Sequence, residues 1–386
     1  MRPEAPLTVP GPIRQDRNAG RNRFHRRGDA HEEGLKADER MSTAELGVTA
    51  AAADKGTRAA GASSVGLVAV IVAATDGEPR ALTVQVEGQA EGRESALPAG
   101  PLVPEHATLE RGLRAWVEQQ THQRLGYVEQ LYTFGDRDRE GGQHDVHLLS
   151  VAYLALVREL RPAGLAEAAW RNWYRYLPWE DFREGRPPAL SEIEPRLMAW
   201  VAAASDPKLR RMREDRVGLS FGIGGAWNEE RVLERYELLF EAGLIPEANG
   251  QNGAAVPDDL AITGQPMAHD HRRVLATAIG RLRGKIKYRP VVFELMPPAF
   301  TLLQLQRTVE ALSGIRLHKQ NFRRLVAQQG LVEETETLTS GNAGRPARLV
   351  RFRREVLLER PGPPAFGSPR RVVRCDAHHP ASRLPE

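Results

Sequence analysis

The most constraining stretch of this 386-residue sequence runs from residue 300 to 353, where two short helical patterns and a hairpin pattern follow one another almost without linkers. In FTLLQLQRTVEALSG, Thr301 stands as a helix N-cap and Gln304, three residues on, completes a capping box. Phe300 and Leu305 occupy the staple positions that flank it. Leu302, Leu305, Val309 and Leu312 recur at helical spacing as one apolar stripe, and Gly314 ends the helix.

After a short turn, LHKQNFRRLVAQQG predicts a second helix with Phe322, Leu325 and Val326 on one face. Gln320, Arg324 and Ala327 lie opposite, with Asn321 and Arg323 on the flanks. Amide and guanidinium groups around a small residue are the side chains that bond base edges and phosphates in a major groove. LVEETETL, the turn SGNAG and RPARLVRFR then predict a hairpin, with Val350 and Phe352 toward the core and Arg351 and Arg353 outward. Its tip, Gly344-Arg345-Pro346, is a stiff cationic loop suited to phosphates or a minor groove. Helix, turn, basic helix and basic hairpin describe a winged helix-turn-helix over residues 284–360. Its expected DNA contacts are Lys319, Gln320, Asn321, Arg323 and Arg324 on the helix, and Arg345, Arg348, Arg351 and Arg353 on the wing.

Charge distribution agrees. Residues 281–360 carry 16 Lys/Arg against 7 Asp/Glu, a local +9 in a chain whose net charge is only +4. A cationic block on an otherwise slightly acidic chain fits a polyanionic partner, although charge by itself fits a solvated surface equally well. Cys375 is the sole cysteine, which excludes a disulfide framework and a cysteine-built zinc site and fits a reducing cytoplasm. The longest apolar run, Val65 to Ala74, is too short to span a bilayer, so no membrane partner is expected. No apolar segment follows the N-terminal arginines as a secretory signal would require.

The rest of the chain divides by pattern. Residues 1–61 are expected to be disordered: the first 40 hold nine Lys/Arg and seven acids without periodicity, and Met41 offers a second start. Residues 62–160 read as an α/β domain. VGLVAVIVAA, ALTVQV, VEQLYTF and HLLSVAYLALV predict strands, LPAG a turn, and Glu105 to Gln120 a helix with Leu109, Leu113, Trp116 and Val117 on one face. Residues 161–283 read as a helical middle segment for linkage or dimerisation. They hold a Trp/Tyr cluster (Trp170, Trp173, Tyr174, Tyr176, Trp179) that reads as core packing before base stacking, and a loop near 246–258. Residues 361–386 are expected to be a disordered tail.

The segment LPAGPLVPEHATLERGLRAWVEQQTHQRL resembles the Nudix box, in which one helical face presents carboxylates that hold divalent cations over a diphosphate. Gly100 matches the opening glycine, Arg114 the motif arginine, Trp116 the apolar position and Glu118 one acid. The departures are at the chemistry: His106 stands for the first Glu, Ala115 for the Glu after the arginine, Gln119 for the last acid and Thr121 for the closing Gly. One remaining carboxylate does not support a Mg²⁺ cluster. The expectation is a mixed sheet between helices in a Nudix-like fold that has lost hydrolysis and has no metal or cofactor. Phosphates of a bound nucleotide would then need cations. The candidates are Arg114, with Glu118 beside it, and Arg137 and Arg139 of the GDRDR loop. Arg114 is as well placed to pair with Glu110 or Glu118 on its own helix.

Together, LPAG…LRAWVEQQ, LYTFGDRDR, KIKYRPVVFELMPPAFTLLQLQ, NFRRLVAQQGLVEE and GRPARLVRFR resemble the Nudix-related transcriptional regulators of NAD metabolism, in their alphaproteobacterial form. The resemblance covers about residues 65–360. It implies a cytoplasmic repressor of NAD-synthesis genes that senses an adenine nucleotide (NAD, ADP-ribose or ATP). It also implies a homodimer on a pseudo-palindromic operator, since two-fold protein symmetry requires a two-fold site. The competing reading is an active Nudix hydrolase of ADP-ribose or a related dinucleotide, against which Ala115 and Gln119 stand. A scaffold with neither activity fits the basic helix and wing least.

Overall fold

The computed structural model describes residues 63–87, 93–135, 147–159, 168–250, 262–338, 346–353 and 355. The segments expected to be disordered (1–61 and 361–386), Arg137, Arg139, the wing tip Arg345 and the turn SGNAG lie outside them.

The central strand, β1 (Ser63–Thr75), is apolar in both parities, and both of its faces are covered. Leu67, Ala69, Ile71 and Ala73 pack in one core cluster, while Val68, Val70 and Val72 belong to another. β2 (Glu78–Glu87) returns antiparallel through Asp76-Gly77, both at positive φ as a two-residue hairpin turn of type I′ requires. β3 (Arg93–Ala96) pairs with β2. Ala99 and Gly100 of the predicted LPAG turn belong instead to β4 (Ala99–Pro101), which pairs with Val68 and Leu67 of β1. Then come α1 (Leu109–Thr121), β5 (Tyr127–Phe134) and β6 (His147–Leu156), the last parallel to β1 and antiparallel to β5. The sheet is therefore mixed, as expected, in the order β3-β2-β1-β6-β5.

The middle segment is not helical throughout. It opens with β7 (Ala168–Asn172), an added strand antiparallel to β2 with Trp170 opposite Leu82. Helices α2 (Ala189–Ala202), α3 (Pro207–Phe221), α4 (Val232–Glu241), the single turn α5 (Pro246–Gly250, within the expected loop) and α6 (His271–Tyr288) follow. The aromatic cluster is core: Trp173, Tyr176 and Trp179 are fully buried. α1 covers the sheet face built from Leu67, Ala69 and Ile71, together with Leu113 and Val117. α6 packs with the opposite face through Leu275, Ile279 and Leu282. The N–H of Leu97 donates to His271 Nδ1 at 3.0 Å, which ties the start of α6 to the sheet. Burial pushes that imidazole down to about 3, so it accepts as the neutral ring.

The C-terminal module is the expected winged helix: α7 (Leu302–Ser313), α8 (Lys319–Gln329), β8 (Val332–Leu338) and β9 (Arg348–Phe352). The Thr301/Gln304 capping box forms in full, and Phe300 and Leu305 are buried. Phe300 and Val350 exchange backbone hydrogen bonds in a single antiparallel bridge that ties the segment before α7 to the wing, and Phe352 stacks on Phe293 at 4.1 Å. α7 also lies against the β1–β2 hairpin, with Arg307 beside Gly77, so Leu305, Val309 and Leu312 share a core with the sheet.

The junction is held by a buried ionic triad. Glu180, at the end of the 3-10 turn Pro178–Glu180, receives Arg235 of α4 at 2.6 and 2.8 Å and Arg283 of α6 at 2.5 Å, all three fully buried. Burial opposes the Glu180 carboxylate, yet the two guanidiniums hold its titration below the ordinary carboxylate range. Arg283 Nε also donates to the Leu312 carbonyl, and Tyr174 Oη to that of Ala311, so this network caps the last turn of α7. No helix among the described residues is long and apolar enough to cross a membrane.

Candidate nucleic-acid interface and the altered box

α8 is seated by Phe322 and Val326, both buried, with Leu325 half-buried beside them. The turn that presents it is built around Glu310 of α7, itself 4% exposed. Glu310 Oε1 accepts from the Leu317 N–H at 2.9 Å and from Gln306 Nε2 at 2.9 Å, Oε2 accepts from Arg316, and Gln306 donates onward to the Leu317 carbonyl. Arg316 donates also to the Arg183 carbonyl, and Arg183 reaches Asp181, Glu78 and the Gly77 carbonyl of the β1–β2 hairpin. The helix-turn-helix is thereby bolted to the sheet. The Glu180 triad is not legible locally, because its arginines lie 55 and 103 residues along the chain. The Glu310 cluster is local, within seven residues, but the sequence pattern does not single it out.

With its buried face fixed, α8 exposes Lys319, Gln320, Asn321, Arg323 and Arg324. No side chain of these five has a hydrogen-bond or ion-pair partner among the described residues. Three uncommitted cations and two amides on one helix match major-groove chemistry. Asn321 sits toward α6: with Arg324 it borders a groove shared with Ile286 and Lys287. The wing is different, since its arginines are engaged. Arg348 pairs with Glu334, Arg351 with Glu333 at 2.5 Å, and Arg353 turns back, half-buried, to the Gly330 carbonyl at 3.3 Å. The first two pairs are exposed and worth at most about 1 kcal/mol, so phosphate can displace them. Arg353 is less free than its place in the sequence pattern implied, and Arg351 is the more exposed of the two.

At the altered box the side chains hold structure. Trp116 lies over Gly100, where a Cβ would fall 2.3 Å from the indole, and its Nε1 donates to the Pro101 carbonyl at 2.8 Å. Gln120 takes both the N–H and the carbonyl of Ala99, at 3.1 and 2.8 Å, like one rung of a strand ladder. Thr121, in place of the closing Gly, is buried and donates to the Val117 carbonyl. Arg114 grips Glu110 at 2.8 and 2.9 Å and the carbonyls of Leu125 and Gly126. Of its two readings, the structure shows the helical pairing, with Glu110. Glu118 faces Arg124 at 3.3 Å. Among the described residues no three carboxylate or imidazole groups converge, so this donor set does not fit a divalent-metal cluster.

Comparison with known proteins places this geometry. Residues 292–352 match the NrtR DNA-binding winged helix domain family. An ADPR responsive transcriptional repressor, NtrR, from Acinetobacter baylyi is 45% identical over 87 residues, which are 22% of this chain and 34% of that repressor. The match thus spans about a third of the curated relative's length. Shewanella oneidensis NrtR, solved with a 27mer DNA, is 20% identical with a TM-score of 0.45, over 76% of this chain and 94% of that one. A MutT/nudix family protein from Enterococcus faecalis is 16% identical with a TM-score of 0.44, over 75% and 88%. The C-terminal module thus matches the NrtR winged-helix family over residues 292–352, and it follows an α/β fold with a mixed sheet.

Proposed function

We propose that this chain is a transcriptional repressor of NAD-synthesis genes whose DNA affinity is set by an adenine nucleotide, with NAD, ADP-ribose and ATP as the candidate effectors. The observation that carries the reading is the solvent face of α8, where Lys319, Arg323 and Arg324 stand unpaired beside Gln320 on a helix of the NrtR DNA-binding type. The effector part is supported by the Acinetobacter relative, described as ADPR responsive. It works in the cytoplasm as a homodimer that sets two α8 helices on a pseudo-palindromic operator. A nucleotide controls it by binding one relative geometry of the two helices better than another. The gel-shift of duplexes from its own NAD-synthesis promoters, titrated with NAD, ADP-ribose and ATP, tests this. A specific shift that one nucleotide alters supports it, and equal binding to promoter and random duplex contradicts it.

The repressor reading includes loss of catalysis. Incubated with ADP-ribose and Mg²⁺ or Mn²⁺, the protein is expected to release no AMP above a heat-killed control. Steady turnover that vanishes in Glu118→Gln would instead make it a hydrolase. The phosphate ligands expected at Arg114, Arg137 and Arg139 need revision at the first, since Arg114 is committed to Glu110 and two carbonyls.

A further inference from the structure

The outer face of α6 carries a feature that neither the DNA-reading helix nor the altered box uses. Between α6 and the start of α4 lies an open groove of about 650 Å³, within the ordinary range for a small-ligand site. Arg231, Arg281, Lys285 and Arg289 line it, with the carboxylates Glu230 and Glu234 and with Tyr288, a residue 58% exposed. Arg231, Arg281 and Arg289 have no ion-pair partner among the described residues, whereas the buried arginines Arg235, Arg272 and Arg283 are all paired. Lys285 is neutralised by Glu129, so the uncompensated cations of the groove are Arg231, Arg281 and Arg289. The helix dipole accounts for cations in the last turn of α6. It does not account for Arg281, two turns back, or for Arg231, which comes from the facing segment.

The groove owes its depth to glycine. A Cβ at Gly280 would lie 2.8 Å from the Glu230 carbonyl, and one at Gly284 would lie 3.3 Å from its carboxylate. The Glu230 carboxylate pairs with Lys287 at 2.6 Å, and Lys287 borders the other groove, beside Asn321 and Arg324 of α8. One residue therefore links this groove to the helix that faces DNA.

We propose that the α4–α6 groove binds a phosphate-bearing nucleotide, with its phosphates among Arg231, Arg281 and Arg289, its base on Tyr288 and a ribose hydroxyl on Glu234. Charge-assisted contacts from neighbouring arginines without ion-pair partners suit a diphosphate, and an exposed tyrosine flanking them suits a base. The inference rests on the nucleotide part of the function proposed above and gives that nucleotide an anion site away from Arg114.

Calorimetric titration of the full chain with ADP-ribose, ATP and tripolyphosphate, alongside operator binding without nucleotide, tests it. Arg281→Ala/Arg289→Ala is expected to weaken nucleotide binding roughly tenfold or more, as loss of charge-assisted hydrogen bonds implies, with operator affinity unchanged. Tyr288→Ala is expected to weaken ADP-ribose and leave tripolyphosphate as it was. Nucleotide binding that is intact in the double variant overturns the groove and leaves the repressor reading standing. If the double variant instead lowers DNA affinity and its salt dependence, the groove is a DNA-backbone contact and the nucleotide assignment is wrong. A wild-type chain that binds no nucleotide overturns both this site and the effector role.

Discussion

Glu180→Gln is expected to lower the unfolding free energy by about 3–5 kcal/mol, because it leaves two guanidiniums buried without a counter-charge. Arg235 and Arg283 are fully buried, so neither can turn to water without opening the core. The loss spreads, because Arg283 also donates to the Leu312 and Glu229 carbonyls and Arg235 to those of Ser220 and Asn228. Removing the arginines together with the acid therefore does not restore stability, in contrast to an ion triad with no further partners. The sign with pH follows from the lowered Glu180 titration: its contribution is present above the ordinary carboxylate range and is lost as acid takes the pH down through the folded-state value. Urea unfolding of the wild type and Glu180→Gln at neutral pH measures the first effect. A difference below about 1 kcal/mol, the size of an ordinary surface substitution, would show that the triad does not hold the junction.

A second large effect is expected one contact away. Gly314 ends α7 at φ +74, and a Cβ there would lie 2.4 Å from the Glu180 carbonyl, 2.7 Å from Arg283 Nη2 and 2.9 Å from Tyr174 Oη. Its own carbonyl accepts from the Phe182 N–H at 2.7 Å. Gly314→Ala thus combines left-handed strain of about 1–2 kcal/mol with overpacking of about 1–3 kcal/mol against backbone that has no room to move. Gly330→Ala is the control: it too has positive φ, +58, but its Cβ would meet only the end of the Arg353 side chain at 3.3 Å. Thermal unfolding of both variants is expected to show a much larger loss for Gly314→Ala. Equal losses would mean that backbone conformation alone sets the cost and that the close junction contributes nothing.

How much of this was legible in the sequence depends on the reach of each signal. The capping box at Thr301, the stop at Gly314, and Phe322 and Val326 under α8 are local patterns, and each forms as read. The apolar run of β1 read as a strand for the same reason, while its central place in the sheet appears only in the structure. β7 was not legible, since AAWRN has no strand alternation and gains its place only by pairing with β2, about 86 residues earlier. The triad was hidden likewise: Glu180, Arg235 and Arg283 look like surface charges until tertiary packing excludes water from all three. At the altered box the residue substitutions were plain, but the new work of Gln120 and Trp116 against β4 was not. On the interface, the spacing predicted the exposed face of α8. It did not predict that acidic residues of β8 would occupy the arginines of β9.

The central claim is that α8 reads sequence while the wing holds phosphate, and one binding measurement tests it most directly. Affinities of wild type, Arg324→Ala and Arg351→Ala are compared on operator and random duplexes at two or more salt concentrations. Arg324→Ala is expected to cost roughly 1–3 kcal/mol on the operator and little on random DNA, so that the two affinities converge. Arg351→Ala is expected to weaken both duplexes about equally and to reduce the slope of log K against log salt by about one unit. If Arg324→Ala weakens operator and random DNA alike, α8 is not the helix that reads sequence, and the account is wrong at its centre.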